Sequence, residues 1–332
     1  MQAWRYIGPH RPLERQEIER PRPGPGEVVV RVLAAGVCHS DLHVLDGIAP
    51  FPTPMTLGHE GAGVVEEIGP GVTEPQPGQL VALYGPNAEG DCRFCRAGQE
   101  NLCPSGPPIG LGIDGCYAEY VRCRARSAVP IPAGVAPEQA AVATDAVLTP
   151  YHALRTVGAL RAGETAVLIG LGGLGLNAVE IACLLGAYVI AVDLVPAKLD
   201  RARALGAHET VDARDAAAVA ALAERLPDLV ADFVGVEETV RTAQQTVRPG
   251  GRVVLVGLGA TTGPLSIFRH GVHQIATLGS FWGTSQELRE VLALIARGTL
   301  RPPVSTAPLA AVNEVMERLR RGEVEGRVAL VP

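Results

Sequence analysis

The stretch Gly170-Leu171-Gly172-Gly173-Leu174-Gly175 constrains the fold of this chain more than any other. It follows the apolar run Ala166–Ile169 and opens onto a helix-forming segment. At a strand-to-helix junction, a G-x-G-x-x-G pattern permits a tight turn, close approach of a pyrophosphate and close helix packing. The helix N-terminus then faces the phosphate charge. The next apolar run ends in Asp193, 21 residues after Gly172. A carboxylate there hydrogen-bonds ribose hydroxyls and repels a 2′-phosphate, which predicts NAD over NADP. Gly170, Gly172, Gly173, Leu174, Gly175 and Asp193 are therefore the candidate dinucleotide contacts. Lys198 reads equally as a further ribose or phosphate contact or as a solvated helix charge. By itself the motif is weak, so a Rossmann-like domain binding another nucleotide, or none, stays open.

Around this motif, Val167–Ile169, Val189–Asp193, Leu229–Phe233, Val253–Val256 and Ile275–Gly279 read as buried strands. The stretches Leu174–Leu185, Pro196–Leu205 and Ala216–Arg225 read as helices between them. Strands alternating with helices predict a doubly wound parallel sheet covered on both faces, in the α/β class. The first part of the chain is different. Short β-branched runs such as Val28–Val32, Gly63–Ile68 and Leu80–Leu83, bounded by turn residues, predict a barrel-like β domain. The tail from Ser285 to Leu319 reads as mainly helical and ends in a strand at Gly326–Val331, which we expect to rejoin the first domain. A length of 332 residues suits two domains. We place one at residues 1–146 with 282–332 and the other at 147–281.

The net charge of -6 gives no electrostatic reason to expect nucleic acid or an acidic membrane surface. No apolar run approaches the roughly 18 residues of a membrane span. Met1–Arg31 lacks the apolar core of a signal peptide, so a cytoplasmic location is expected. Lys198 is the only lysine and prolines number 27, a bias compatible with a GC-rich genome or with heat adaptation.

Three segments carry metal-ligand residue types: Cys38-His39-Ser40-Asp41-Leu42-His43, then Gly58-His59-Glu60, then Glu89 to Cys95 with Cys103. Cys92, Cys95 and Cys103 provide thiolates spaced for one loop to wrap a tetrahedral ion. Glu89 precedes Cys92 by the same interval that separates Cys92 from Cys95, and a carboxylate is an acceptable zinc ligand. Glu89 is therefore the expected fourth ligand, the alternative being a lobe without metal. Cys38 and His59 suit zinc, but spacing alone does not bring them together.

These segments resemble the zinc-dependent medium-chain alcohol dehydrogenases, bacterial secondary-alcohol members included. The likeness rests on Gly58-His59-Glu60 followed by Gly63, Gly69 and Val72, on Ala35–Asp41, on Tyr117-Ala118-Glu119-Tyr120, on Gly170–Gly175 and on Gly326-Arg327. It spans essentially the whole chain. The resemblance implies a GroES-like β-barrel catalytic domain and a Rossmann domain. It implies Cys38 and His59 as catalytic zinc ligands, with Asp145 at the position where a second cysteine is commonest. Glu60 would lie behind the metal and Asp41 would orient a ligand imidazole. Ser40 would take the alcohol proton and His43 would end the relay to water. His39 and Arg327 would lie near the pyrophosphate. Val256, Leu258, Ser280 and Trp282 would line the nicotinamide and pocket wall, and Tyr84 and Trp282 the substrate pocket.

The expected activity is hydride transfer between NAD and a small primary or secondary alcohol, aldehyde or ketone, with catalytic and structural zinc. A polyol or amino-alcohol dehydrogenase of the same superfamily is the alternative within the class. A non-catalytic NAD- or zinc-binding protein is the alternative outside it. Family members from bacteria are usually tetramers whose Rossmann domains pair edge to edge, so a homotetramer or dimer is expected.

Overall fold

The computed structural model describes residues 1–48 and 50–332. Two units emerge, one made of Met1–Leu148 with Gly283–Pro332 and the other of Thr149–Trp282. The first unit opens with β1 (Gln2–Tyr6), β2 (Glu14–Glu17), β3 (Glu27–Gly36), β4 (Met55–Thr56), β5 (Glu60–Ile68), β6 (Leu80–Leu83), β7 (Tyr120–Arg124) and β8 (Ala128–Pro130). The second carries β9 (Thr165–Ile169), β10 (Tyr188–Asp193), β11 (Glu209–Asp212), β12 (Leu229–Asp232), β13 (Arg252–Leu255) and β14 (Ala276–Gly279). The returning tail adds β15 (Val304–Pro308) and β16 (Arg327–Val331) to the first unit.

In the second unit all strand pairs are parallel, in the order β11-β10-β9-β12-β13-β14. Val189–Val192 is buried throughout, as expected of a strand covered on both faces. The helices Gly173–Leu184 and Pro196–Ala204 follow the predicted spans closely. The predicted helix Ala216–Arg225 is α-helical only to Ala221 and tightens to a 3-10 turn over Leu222–Arg225. Strand β11 has no counterpart among the predicted strands, because Glu-Thr-Val-Asp at a sheet edge carries no apolar run. Strand order reverses at β9, whose neighbours are β10 on one side and β12 on the other. Ligands bind beyond the carboxyl ends of strands at such a point.

In the first unit, β15-β16-β3-β5-β6-β8 form one path, with β7 also paired to β3. The core joins Val28, Val30, Val32, Val65, Val81 and Leu83 to Val312, Val315, Met316, Val328 and Leu330 from the tail. The tail thus returns to the first unit by burying apolar side chains with it. It is not purely helical before its last strand. Between the helices Ser285–Ala296 and Val312–Arg320, β15 pairs in parallel with β16. Its closing Pro308 and the preceding Pro302-Pro303 masked it in the sequence, although proline is tolerated on a sheet edge.

Register alone brings three distant segments to one corner. Gly36 at the end of β3 pairs with Glu60 at the start of β5, and with Ala329 of β16. Cys38 lies just past that end of β3, His59 just before β5, and Arg327 at the start of β16. Only glycine fits at Gly36. A Cβ there would lie 1.9 Å from Glu60 Oε2.

Candidate active site

Cys38, His59, Glu60 and Asp145 are all buried, and each offers a donor atom within 4.8 Å of the others. Asp145 arrives on the helical run that begins at Pro137, within the π-helical turn Ala143–Val147. Such wide turns inside helices redirect side chains and are frequent at functional sites. Asp145 Oδ2 lies 3.4 Å from Cys38 Sγ and 3.8 Å from His59 Nε2. Bond lengths of about 2.0–2.3 Å in a tetrahedral zinc site separate donors by roughly 3.5 Å. Thiolate, imidazole and carboxylate therefore fit zinc in both type and spacing.

Further contacts orient these donors. Cys38 precedes the helix His39–Leu45, and its N–H donates to Asp41 Oδ2 at 3.0 Å. Asp41 Oδ1 faces His59 Nδ1 at 3.4 Å. That leaves Nε2 directed toward Asp145, the arrangement expected of a metal-ligating imidazole backed by a carboxylate. Tyr117 completes the chain, its hydroxyl lying 2.8 Å from Asp41 Oδ2 and 3.1 Å from Gly36 O. Tyr117 and Asp41 are fully buried. The residue stands in the recognised 117–120 segment, but nothing in that pattern signals that its hydroxyl touches the carboxylate behind the histidine.

Burial pushes the Glu60 carboxyl up to about 8, although the Arg327 guanidinium opposes this. Arg327 Nε lies 3.1 Å from Glu60 Oε1. Its terminal nitrogen lies 3.2 Å from Cys38 Sγ and 3.1 Å from Asp145 Oδ2. The expectation that Arg327 contacts a phosphate is thus not what this geometry shows. The Glu60 and Asp145 carboxyls and the Cys38 sulfur surround the guanidinium on the inside of the site, and it is 2% exposed. Burial disfavours the charged form of His59, but Asp41, Asp145 and Cys38 outweigh it and hold the imidazole well above its ordinary pKa. A bound dication reverses this balance by favouring neutral imidazole and ionised carboxylates.

Ser40 Oγ lies 3.7 Å from Cys38 Sγ. His43 is three residues further on the same helix, hence on the same face. Burial lowers its pKa, against a raising influence from Asp46. His39 is exposed at the start of that helix.

The other expected residues divide. Cys92, Cys95 and Cys103 are brought together, with Cys92 Sγ 3.4 Å from Cys95 Sγ. The Cys95 N–H, donated to Cys92 Sγ, holds the Cys92 thiol below its ordinary pKa and so favours the thiolate. Glu89 does not join them. Its Oε1 is paired with Arg124 at 3.1 Å, since a half-exposed carboxylate next to a guanidinium is drawn to it. Tyr84 is 1% exposed and donates its hydroxyl to Gly283 O at 2.7 Å, so it anchors backbone rather than presenting a free face to substrate.

The dinucleotide residues lie at the carboxyl ends of strands in the second unit. Gly170–Gly175 follows β9 and starts the helix Gly173–Leu184. A Cβ at Gly175 would lie 1.8 Å from Gly170 O, so the turn requires glycine. A Cβ at Gly172 would meet nothing within 4 Å, so the turn leaves open space on that side, of the kind a pyrophosphate would need. Asp193 ends β10. Its Oδ2 accepts from Leu171 N at 2.7 Å and its Oδ1 from Val195 N at 2.9 Å, which fixes the carboxylate beside that turn. Val256 and Leu258 follow β13, Ser280 and Trp282 follow β14, and Lys198 lies in the first turn of Pro196–Ala204. These residues fit a dinucleotide.

Residues 24–133 match the family described as alcohol dehydrogenase GroES-like domain, and residues 173–297 match zinc-binding dehydrogenase. The chain belongs to the zinc-type medium-chain alcohol dehydrogenases. It is 39% identical over 327 residues to an alcohol dehydrogenase of Geobacillus stearothermophilus, covering 96% of each chain. Acetophenone reductase from Geotrichum candidum NBRC 4597, solved in complex with NAD, superposes with a TM-score of 0.93 at 38% identity. That match covers 100% of this chain and 97% of the other. The alcohol dehydrogenase of the hyperthermophilic archaeon Aeropyrum pernix gives a TM-score of 0.94 at 34% identity over the whole of both chains. As a family member this chain is an NAD-linked alcohol dehydrogenase of the zinc type, and its substrates are alcohols and their carbonyl partners. No helix among its described residues is long and apolar enough to cross a membrane.

Proposed function

We propose that Cys38, His59 and Asp145 hold the catalytic zinc of an alcohol dehydrogenase of simple primary or secondary alcohols. The observation that carries this is the buried convergence of these donor atoms with Glu60. Zinc, when bound, polarises the alcohol or carbonyl oxygen, and NAD accepts or returns the hydride. Asp41 and Tyr117 hold the His59 ring in one tautomer. Glu60 and Arg327 form a buried pair behind the ligands and balance their charge. Ser40 Oγ accepts the substrate proton while releasing its own hydroxyl proton toward His43, which takes it up and passes it to water, a role suited by an imidazole whose pKa burial lowers.

In the second unit, Gly170–Gly175 receives the pyrophosphate and Asp193 the adenosine ribose. Lys198 is available beside them, and Val256, Leu258, Ser280 and Trp282 wall the nicotinamide. In the first unit, His39 is exposed at the start of its helix, and we keep it as a candidate phosphate contact. Cys92, Cys95 and Cys103 hold a second zinc. Glu89 can exchange its exposed ion pair with Arg124 for the metal, because such a pair is worth at most about 1 kcal/mol.

The exposed apolar side chains Leu265, Ile267, Phe268 and Val272 beside the edge strand β14 support pairing with a second copy of the chain. The cytoplasm remains our location on composition.

The test is Asp145→Ala. The variant should fold, lose one zinc per chain by elemental analysis, and fall at least about 100-fold in NADH production from short alcohols. Full zinc content with full turnover would remove Asp145 from the site.

A further inference from the structure

The chain leaves the second unit through Trp282, whose φ is +51°. A bulky L residue keeps that left-handed conformation only where its surroundings hold it. The residues just after it are held by two side chains of the first unit. Tyr84 donates its hydroxyl to Gly283 O at 2.7 Å. Glu100 Oε1 accepts both the Ser285 N–H, at 2.7 Å, and the Ser285 hydroxyl, at 2.6 Å.

The helix Ser285–Ala296 does not need Glu100 as its cap. Thr284 Oγ1 already accepts from Glu287 N at 3.2 Å, and Glu287 Oε2 accepts from Thr284 N at 2.8 Å. This reciprocal capping box closes the helix locally. The Ser285 N–H is one of the donors left over at a helix start. Glu100 takes it from 185 residues away. Glu100 also belongs to the cysteine lobe. It opens the 3-10 turn Glu100–Leu102, and its backbone carbonyl accepts the Cys103 N–H at 3.1 Å. One residue therefore touches a thiol ligand through its backbone and the helix start through its side chain.

We propose that Glu100 is a positioning residue that ties the Cys92–Cys95–Cys103 lobe to Gly283–Ser285 and so fixes the backbone of Trp282 for nicotinamide binding. The last step rests on the reading above that Trp282 walls the nicotinamide. The lobe then serves the reaction by setting cofactor affinity as well as by stabilising the fold. Glu100 touches neither substrate nor cofactor.

The chain has two tryptophans, Trp4 and Trp282, so a Trp4→Phe background isolates the emission of Trp282. In the zinc-loaded full chain, Glu100→Ala should shift that emission and weaken NADH binding about tenfold, as when only a part of two hydrogen bonds to a charged acceptor is expressed in the cofactor-bound state. The effect should fall on Kd and KM for the cofactor, with kcat within about twofold and zinc content unchanged. Glu100→Gln keeps the acceptor oxygen and should restore affinity to within about threefold. Ser285→Ala keeps only the backbone bond and should lie between. If Glu100→Ala does not fold, the order wild type, Glu100→Gln, Ser285→Ala in NADH affinity decides.

A merely structural role would lower the melting temperature and leave Trp282 emission and NADH affinity unchanged in every variant, and that result overturns the proposal. If emission shifts with Glu100 but NADH quenches Trp282 in no protein, the tether stands and the placement of Trp282 beside nicotinamide fails.

Discussion

Tyr117→Phe removes a single oxygen from a fully buried site and reports on what lies two bonds further in. The hydroxyl is 2.8 Å from Asp41 Oδ2, and that oxygen also accepts the Cys38 N–H at 3.0 Å. Asp41 Oδ1 faces His59 Nδ1 at 3.4 Å. A hydrogen bond to a buried charged group contributes about 1.5–3 kcal/mol. Were all of it expressed in the metal-bound state, zinc affinity would fall roughly 10–100-fold, the range seen for groups that orient metal-ligating histidines. The ring itself is unchanged, so its packing on Gly58 persists. Chelator competition gives the zinc Kd, and urea unfolding with and without metal gives stability. The expected result is a larger stability loss with zinc than without. Equal losses in both states, with zinc affinity within twofold of wild type, would refute the idea that Tyr117 acts on the metal through Asp41 and His59.

Gly175→Ala puts a methyl 1.8 Å from Gly170 O and should raise the KM for NAD at least about tenfold while zinc content holds, as read by steady-state kinetics and elemental analysis. Burial lowers the pKa of His43. Its unfolded form therefore binds a proton more readily, so stability is complete above the unfolded value and falls as pH drops through it. Urea midpoints at about pH 7.5 and pH 5.5 should fall less in His43→Gln than in wild type, and the acid limb of its rate profile should flatten. Glu89→Ala should lower zinc from two per chain toward one at low free zinc; retention of both ions would leave the fourth position to another ligand or to water.

Much of the fold is legible because burial leaves local marks. A strand covered on both faces must be apolar throughout, and Val189–Val192 is. A phosphate-binding turn must lack Cβ atoms, and Gly170–Gly175 does. Elements at edges leave weaker marks. Strand β11 is Glu-Thr-Val-Asp, and β15 sits among prolines, so neither announces itself.

Side-chain partners at the candidate site are less legible than the elements that carry them. Arg327, Glu89 and Tyr84 are each found beside a partner that their own neighbourhoods do not indicate: Glu60, Arg124 and Gly283 O. Sequence by itself determined which residues could bind zinc and dinucleotide, because thiolate, imidazole, carboxylate and glycine types follow from chemistry. Tertiary structure decided which of them meet. The β3–β5 register joins segments across an intervening helix and loop, while the β3–β16 register and the π-helical turn at Asp145 join positions more than 100 residues apart, and no local pattern encodes such pairings.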